Sequence, residues 1–87
     1  MTKSDLKTGM IVELVNGNVY VALMDTCMDK FTDMLMRTDG SGYVDLDMYD
    51  NELRNMGAPE FSVMTVSKPD TPSDMIDHNG DLVFSRL

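Results

Sequence analysis

The sequence has little cysteine and no long apolar run. Its single cysteine, Cys27, cannot form a disulfide within the chain, which excludes a small secreted scaffold held together by disulfide bonds. The longest unbroken apolar run, Val19–Met24, is too short to cross a bilayer, and the first ten residues hold no apolar segment of the signal-peptide kind. We therefore expect a cytoplasmic protein that does not act at a membrane.

Basic residues are also scarce. The 87 residues include fifteen acids but only seven lysines and arginines, which gives a formal net charge of −8. Because the seven bases are dispersed along the chain, we do not expect a track for nucleic-acid phosphates. With 43 % hydrophobic residues, the chain can fold as one domain with a compact core, but it is too short for a two-domain enzyme.

A turn signal between two β-type segments predicts the first strand pair. Met10–Val15 and Val19–Met24 are rich in β-branched and aromatic residues, and Asn16-Gly17 lies between them. Asn-Gly readily adopts the positive φ angles of a tight hairpin turn. We therefore predict an antiparallel β-hairpin at this point.

The middle of the chain leaves two alternatives open. The segment from Thr26 to Arg37 fits a helix, because Phe31, Met34 and Leu35 have helical spacing, but it also fits a strand over Met34–Arg37. The other predicted elements are a short strand at Tyr43–Leu46, a helical or 3₁₀ turn at Met48–Leu53, strands at Phe61–Val66 and Asp81–Arg86, and a short helix from Pro72 to Ile76.

This pattern predicts an all-β fold with minor helix. Five to six short strands with one or two short helical turns favour a small antiparallel SH3-like barrel. Closure of the barrel would also remove the exposed strand edges that promote aggregation.

The segment around Gly42 resembles part of an EF-hand calcium loop. With Gly42 at the sixth position of the loop, Asp39 and Asp45 occupy ligand positions. The first and twelfth positions are then Arg37 and Met48, where a calcium loop needs carboxylates. We therefore interpret the segment as a glycine-rich hairpin turn.

Motifs that would carry catalysis are missing. The sequence has no nucleophile elbow, no dinucleotide fingerprint and no phosphate loop, so we expect neither enzyme activity nor a cofactor. The residues that could form a mixed metal site are Asp25, Cys27, Asp29 and His78. For Cys27 and His78, the simpler interpretation is a half-buried cysteine and a histidine in a loop.

The acids are concentrated in two segments. From Asp25 to Glu52 there are eight acids against Lys30 and Arg37, and from Asp70 to Asp81 there are four acids and no base. Such a surface either keeps the protein dissolved or is recognised by a basic partner. The candidate contact residues are Asp25, Asp29, Asp33, Asp45, Asp47, Asp50 and Glu52.

Three segments together resemble small phage and prophage proteins of Firmicutes. They are Ser4–Leu14 with Asn16-Gly17 and Tyr20, Gly42–Leu46 with Tyr49–Leu53, and Phe61–Val66. The resemblance covers about two-thirds of the chain and departs at Cys27–Asp33 and at Phe84, where a tryptophan is expected.

The resemblance implies that the protein has a barrel fold and acts in the cytoplasm of a bacterial host cell. In size and charge, such proteins are similar to inhibitors of bacterial defence, including anti-CRISPR proteins that occupy the basic channel of an RNA-guided nuclease. It therefore implies a stoichiometric inhibitor that binds a basic host protein surface and makes no direct contact with nucleic acid. The alternatives are a structural or accessory phage protein that self-associates, and a small-ligand or metal-binding module.

Overall fold

The first half of the sheet is a meander of four strands. The computed structural model describes residues 1–24 and 33–86, and its first strands are β1 (Ile11–Leu14), β2 (Val19–Leu23), β3 (Met34–Met36) and β4 (Tyr43–Asp45). The predicted β1–β2 hairpin is confirmed: Gly17 has a φ of 89°, and the Leu14 amide donates to the Asn18 carbonyl at 2.9 Å.

The second half of the chain adds two strands to the other side of β1. These are β5 (Val63–Lys68) and β6 (Asp81–Ser85), and the short helix α1 (Pro72–Ile76) lies between them in sequence. The sheet order is β4-β3-β2-β1-β5-β6, and all neighbours are antiparallel. Short 3₁₀ turns occur at Lys3–Asp5, Leu46–Met48 and Pro59–Phe61.

The structure resolves two of the open points in the middle of the chain. Met34–Met36 is a strand, while the rest of the ambiguous segment falls largely on residues 25–32, outside the described ranges. The turn after β3 is a hairpin, in which the Arg37 amide donates to the Gly42 carbonyl at 2.9 Å and Gly40 has a φ of 75°. The bounds of the helical turn predicted at Met48–Leu53 are wrong: the 3₁₀ turn is Leu46–Met48 and ends where the predicted turn begins.

The predicted antiparallel β class with short helical turns is confirmed, but the prediction of an SH3-like barrel is wrong, because the sheet does not close. β4 and β6 stand at opposite ends of the sheet order, and each pairs with only one neighbour among the described residues. The physical reason is that non-strand residues complete the core, so closure is not needed to bury it. These residues are Leu6, Leu46, Tyr49 and Leu53, which belong to the same buried cluster as Val12 and Val66.

The sheet is apolar on both faces. The face that carries the main core presents Val12, Leu14, Tyr20, Ala22, Leu35 and Val66. On the opposite face Ile11, Val21 and Met34 are also buried, although they lie outside that cluster. Helix α1 adjoins this second face, because Met75 and Ile76 line a cavity of about 180 Å³ together with Val21, Leu23 and Met36.

Candidate partner-binding surface

Three of the predicted contact residues meet where β3 begins and β4 ends. Asp45 lies opposite Met34 in the β3–β4 register, and the Leu46 amide donates to the carbonyl oxygen of Asp33 at 3.3 Å. The Asp45 carboxylate accepts a hydrogen bond from the Asp47 amide at 2.9 Å and so begins the 3₁₀ turn Leu46–Met48. The fold thus places Asp33, Asp45 and Asp47 at one corner of the sheet.

Exposed apolar side chains accompany these acids. Tyr43 is 55 % exposed and lies on the same face of β4 as Asp45, two residues away. Met48, at the end of the 3₁₀ turn, is 48 % exposed, and its carbonyl accepts the amide of the exposed Met56 at 2.8 Å. We call Asp33, Asp45, Asp47, Tyr43 and Met48 the acidic corner.

Bases only partly offset the charge of the acidic corner. Within residues 1–24 and 33–86, neither Asp45 nor Asp47 forms an ion pair with a lysine or arginine. The Lys3 ammonium lies behind the turn, where it donates to the carbonyls of Leu46 at 3.2 Å and Tyr49 at 3.0 Å. Lys3 therefore stabilises the backbone of the turn and does not pair with either carboxylate.

Asp50 belongs to a separate and largely neutralised turn. Its carboxylate accepts the amides of Glu52 at 2.9 Å and Arg54 at 3.0 Å. The hydrogen bond from the Arg54 amide, together with the bond from Glu52 and the charges of Arg54 and Arg86, holds the pKa of Asp50 below its ordinary value. Asp50 is thus used to shape this loop.

Glu52 is also paired within the chain. Its carboxylate forms an ion pair with the Arg54 guanidinium, and the Arg86 guanidinium donates to its backbone carbonyl. Arg86 also donates to the Val63 carbonyl at 2.5 Å, which ties the end of β6 to the start of β5. The predicted acidic segment is therefore divided into two parts. In one part Asp45 and Asp47 form no ion pair within the described ranges, and the other part is a turn whose charge is compensated by two arginines.

The remaining predicted residues do not form a site that the structure describes. Asp25, Cys27 and Asp29 lie outside the described ranges. His78 follows α1 in a left-handed conformation, with a φ of 58°, and its Nε2 lies 3.2 Å from the Thr38 hydroxyl. In the described part of the chain, no three His, Cys, Asp or Glu residues are grouped as a metal ion requires.

Sequence reasoning missed the apolar members of the acidic corner and the arginine pairing beside it. Tyr43 and Met48 fit an ordinary strand and turn in the sequence, although tyrosine and methionine are both enriched at interfaces. Arg86 lies far from Glu52 in sequence, so their contact depends on the β5–β6 pairing.

No family model matches this chain, and comparisons with curated proteins and with solved structures give no match either. In the two described ranges, no helix is long and apolar enough to span a membrane.

Proposed function

We propose that this protein is a binding module that docks its acidic corner onto a basic protein surface. The observation that carries the proposal is the pair of carboxylates at Asp45 and Asp47, which lack an ion-pair partner within the described ranges and lie beside exposed Tyr43 and Met48. Interfaces are enriched in tyrosine and methionine, and carboxylates at the rim steer association with a positive surface. The corner combines both features.

The partner that we propose is a host protein groove that otherwise holds nucleic acid. Such a groove is lined by lysine and arginine, and a chain with fifteen acids and seven bases is attracted to it over long range. The resemblance to small phage proteins supports the more specific proposal of a stoichiometric inhibitor of an RNA-guided defence nuclease. Inhibition would follow from occupying the groove, without catalysis by this chain.

The test measures binding of the purified protein to a guide-loaded Cas9-type nuclease by biolayer interferometry. We expect D45N/D47N to weaken binding by at least about tenfold at about 50 mM NaCl, where surface charges are poorly screened. The matched control is D77N/D81N, which removes the same charge from exposed positions near the start of β6. We expect this control to weaken binding by less than about threefold.

Salt provides a second readout for the same pair of variants. Binding of the unmodified protein should weaken steeply between about 50 and about 500 mM NaCl, because screening removes the attraction between exposed charges. If the affinity does not depend on salt, or if the two double variants lose the same affinity, the acidic corner is not the contact surface. Absence of binding at low salt would overturn this class of partner.

A second candidate is a structural or accessory role through self-association. β6 is an edge strand in the described sheet, and it exposes Leu82 (62 %) and Val83 (48 %). An exposed apolar edge can pair with a second copy, although a register shift in the β5–β6 ladder interrupts this edge. Light scattering decides this candidate: a stable dimer that L82K converts to a monomer supports it, and a monomer at high concentration rejects it.

A further inference from the structure

A cavity lies at the end of the sheet where β1 begins and β5 ends. Because β1 and β5 are antiparallel neighbours, the segment before Ile11 and the segment after Lys68 meet there. Lys7–Met10 forms one wall, Lys68–Pro72 forms the other, and Met75 of α1 also lines the space. We call this cavity the β1–β5 groove.

The groove has the size of a small-molecule site. Its volume is about 400 Å³. Pockets that hold small ligands measure roughly 300–1,000 Å³, so the groove can take a ligand on the order of ten to twenty non-hydrogen atoms. That size excludes a nucleic-acid strand or a folded partner as its occupant.

Hydrogen bonds hold both walls of the groove in place. The Thr8 hydroxyl accepts the Met24 amide at 2.9 Å, and the Gly9 amide donates to the Ala22 carbonyl at 2.9 Å. On the other wall, the Thr71 hydroxyl accepts the Asp74 amide at 3.1 Å and begins α1. Because all these hydrogen bonds are made between residues of the chain, the fold itself orders the two walls, and binding would cost little additional ordering.

The lining combines apolar surface with cations. Met10, Met75 and two prolines supply the apolar part, and methionine adapts its shape to an irregular ligand. Lys7 and Lys68 are the basic residues of the lining, and neither ammonium group forms a hydrogen bond or a close ion pair within the described ranges. The charge of Lys7 also acts on the nearby Asp5 carboxylate, which does not line the groove. Among the described residues, Asp70 is the one carboxylate in the lining, so the lining itself carries two cations against one anion in a chain of net charge −8.

We propose that the β1–β5 groove binds a small, free amphipathic monocarboxylate. Its apolar body lies against Met10 and Met75, and its carboxylate contacts Lys7 and Lys68. A charged hydrogen bond from an ammonium to a carboxylate gives the orientation, while the apolar surface gives the affinity. A ligand with a cationic head would meet two ammonium groups against one carboxylate. The groove shares no residue with the acidic corner, so ligand binding in the groove can be tested independently of the proposed protein binding.

The test is a titration with octanoate followed by NMR. The methyl signals of Met10 and Met75 and the amide signals of Gly9 and Thr71 should shift in a saturable way. The dissociation constant should be on the order of 1 mM, as expected for a ligand of about ten non-hydrogen atoms. Octylammonium has an apolar chain one carbon longer and the opposite charge, and despite the longer chain it should bind at least about tenfold more weakly.

Two pairs of variants separate the charged part of the site from the apolar part. K7Q/K68Q should weaken octanoate binding by about fivefold or more and remove the preference over octylammonium. R54Q removes a cation outside the groove, so it should change neither the affinity for octanoate nor the preference over octylammonium. M75A should weaken the binding of both ligands by about fivefold. M56A, which truncates an exposed methionine elsewhere, should leave both affinities unchanged.

Three results would overturn the proposal. The first is the absence of saturable shifts at the groove residues in the unmodified protein. The second is octylammonium binding as tightly as octanoate. The third is a K7Q/K68Q variant that is folded, as shown by an unchanged amide spectrum outside the groove, and still prefers the carboxylate.

Discussion

At the scale of single residues, several carboxylates shape loops as well as carrying charge. Asp39, Asp45 and Asp50 each accept a backbone amide two residues further along the chain, at 2.8–2.9 Å. Asp5 accepts the Thr2 amide at 2.8 Å and completes a capping box. Aspartate favours turns by this contact. Part of the acid excess is therefore explained by the loops and does not require a partner.

The pKa of Asp50 leads to a prediction about acid. Its folded pKa lies below the ordinary 3.8, chiefly because the ionised form accepts the Arg54 amide. A lowered folded pKa contributes stability at pH values above the unfolded pKa, and this contribution is lost as the pH falls through the folded value. D50N should therefore be less stable than the unmodified protein at pH 7, and the difference should disappear in strong acid.

Urea unfolding of both proteins at about pH 7 and about pH 2.5 measures this difference. The matched control is D47N, because the Asp47 carboxylate accepts no hydrogen bond within the described ranges. D47N removes the same charge without removing a contact to a backbone amide, so it should lose less stability at pH 7 than D50N loses. If D50N loses the same free energy of unfolding at both pH values, the ionised Asp50 carboxylate does not stabilise the fold as we expect.

At the scale of elements, the approach of β6 to β5 depends on Gly80. A Cβ atom at this position would lie 2.7 Å from the carbonyl carbon and oxygen of Lys68, which is closer than real Cβ contacts. Gly80 has no positive φ, so the glycine is needed for space rather than for backbone conformation. Its neighbour Asp81 pairs with Lys68 at the start of β6.

G80A should therefore destabilise the protein by about 1–3 kcal/mol, because the backbone of Lys68 or of β6 must move to make room. The control is G42A, whose Cβ would meet only the Arg37 side chain at an ordinary 4.0 Å. Its effect should stay within about 0.5 kcal/mol. Free energies of unfolding in urea, with hydrogen exchange of the β6 amides, compare the two. Equal losses would show that the close approach is not the cause.

At the scale of the whole molecule, like-charge repulsion opposes folding. Fifteen acids and seven bases share a structure whose Cα radius of gyration is 11.8 Å. Many of these charges lie closer together than the Debye length at low salt, so they repel one another in the folded state more than in the expanded unfolded chain.

The unfolding temperature should therefore rise with NaCl. Increasing the salt from about 0.02 M to about 0.5 M shortens the Debye length from roughly 20 Å to roughly 4 Å. A gain of about 1 kcal/mol would raise Tm by about 4–8 °C in a domain of this size. D74N/D77N/D81N, which removes acids from the base-free segment, should respond less to salt. A Tm that falls as NaCl rises would contradict the repulsion argument.

The sequence alone determined the local features of this protein. Asn16-Gly17 between two β-type runs was sufficient to predict the β1–β2 hairpin, and the glycine-rich segment before Tyr43 was sufficient for the β3–β4 turn. Turn chemistry and strand propensity act between residues that are close in sequence, so they can be recognised without a fold. The abundance of acids was equally visible.

Only the tertiary structure decided how the strands combine and where the sites lie. Open-sheet order, the β1–β5 contact that forms the groove, and the pairing of Arg86 with Glu52 all join residues distant in sequence. The same alternation of apolar residues would have suited a closed barrel. The sheet stays open because Leu46, Tyr49 and Leu53 cover its core face. Burial of apolar surface depends on the whole chain, so no single segment encodes this outcome.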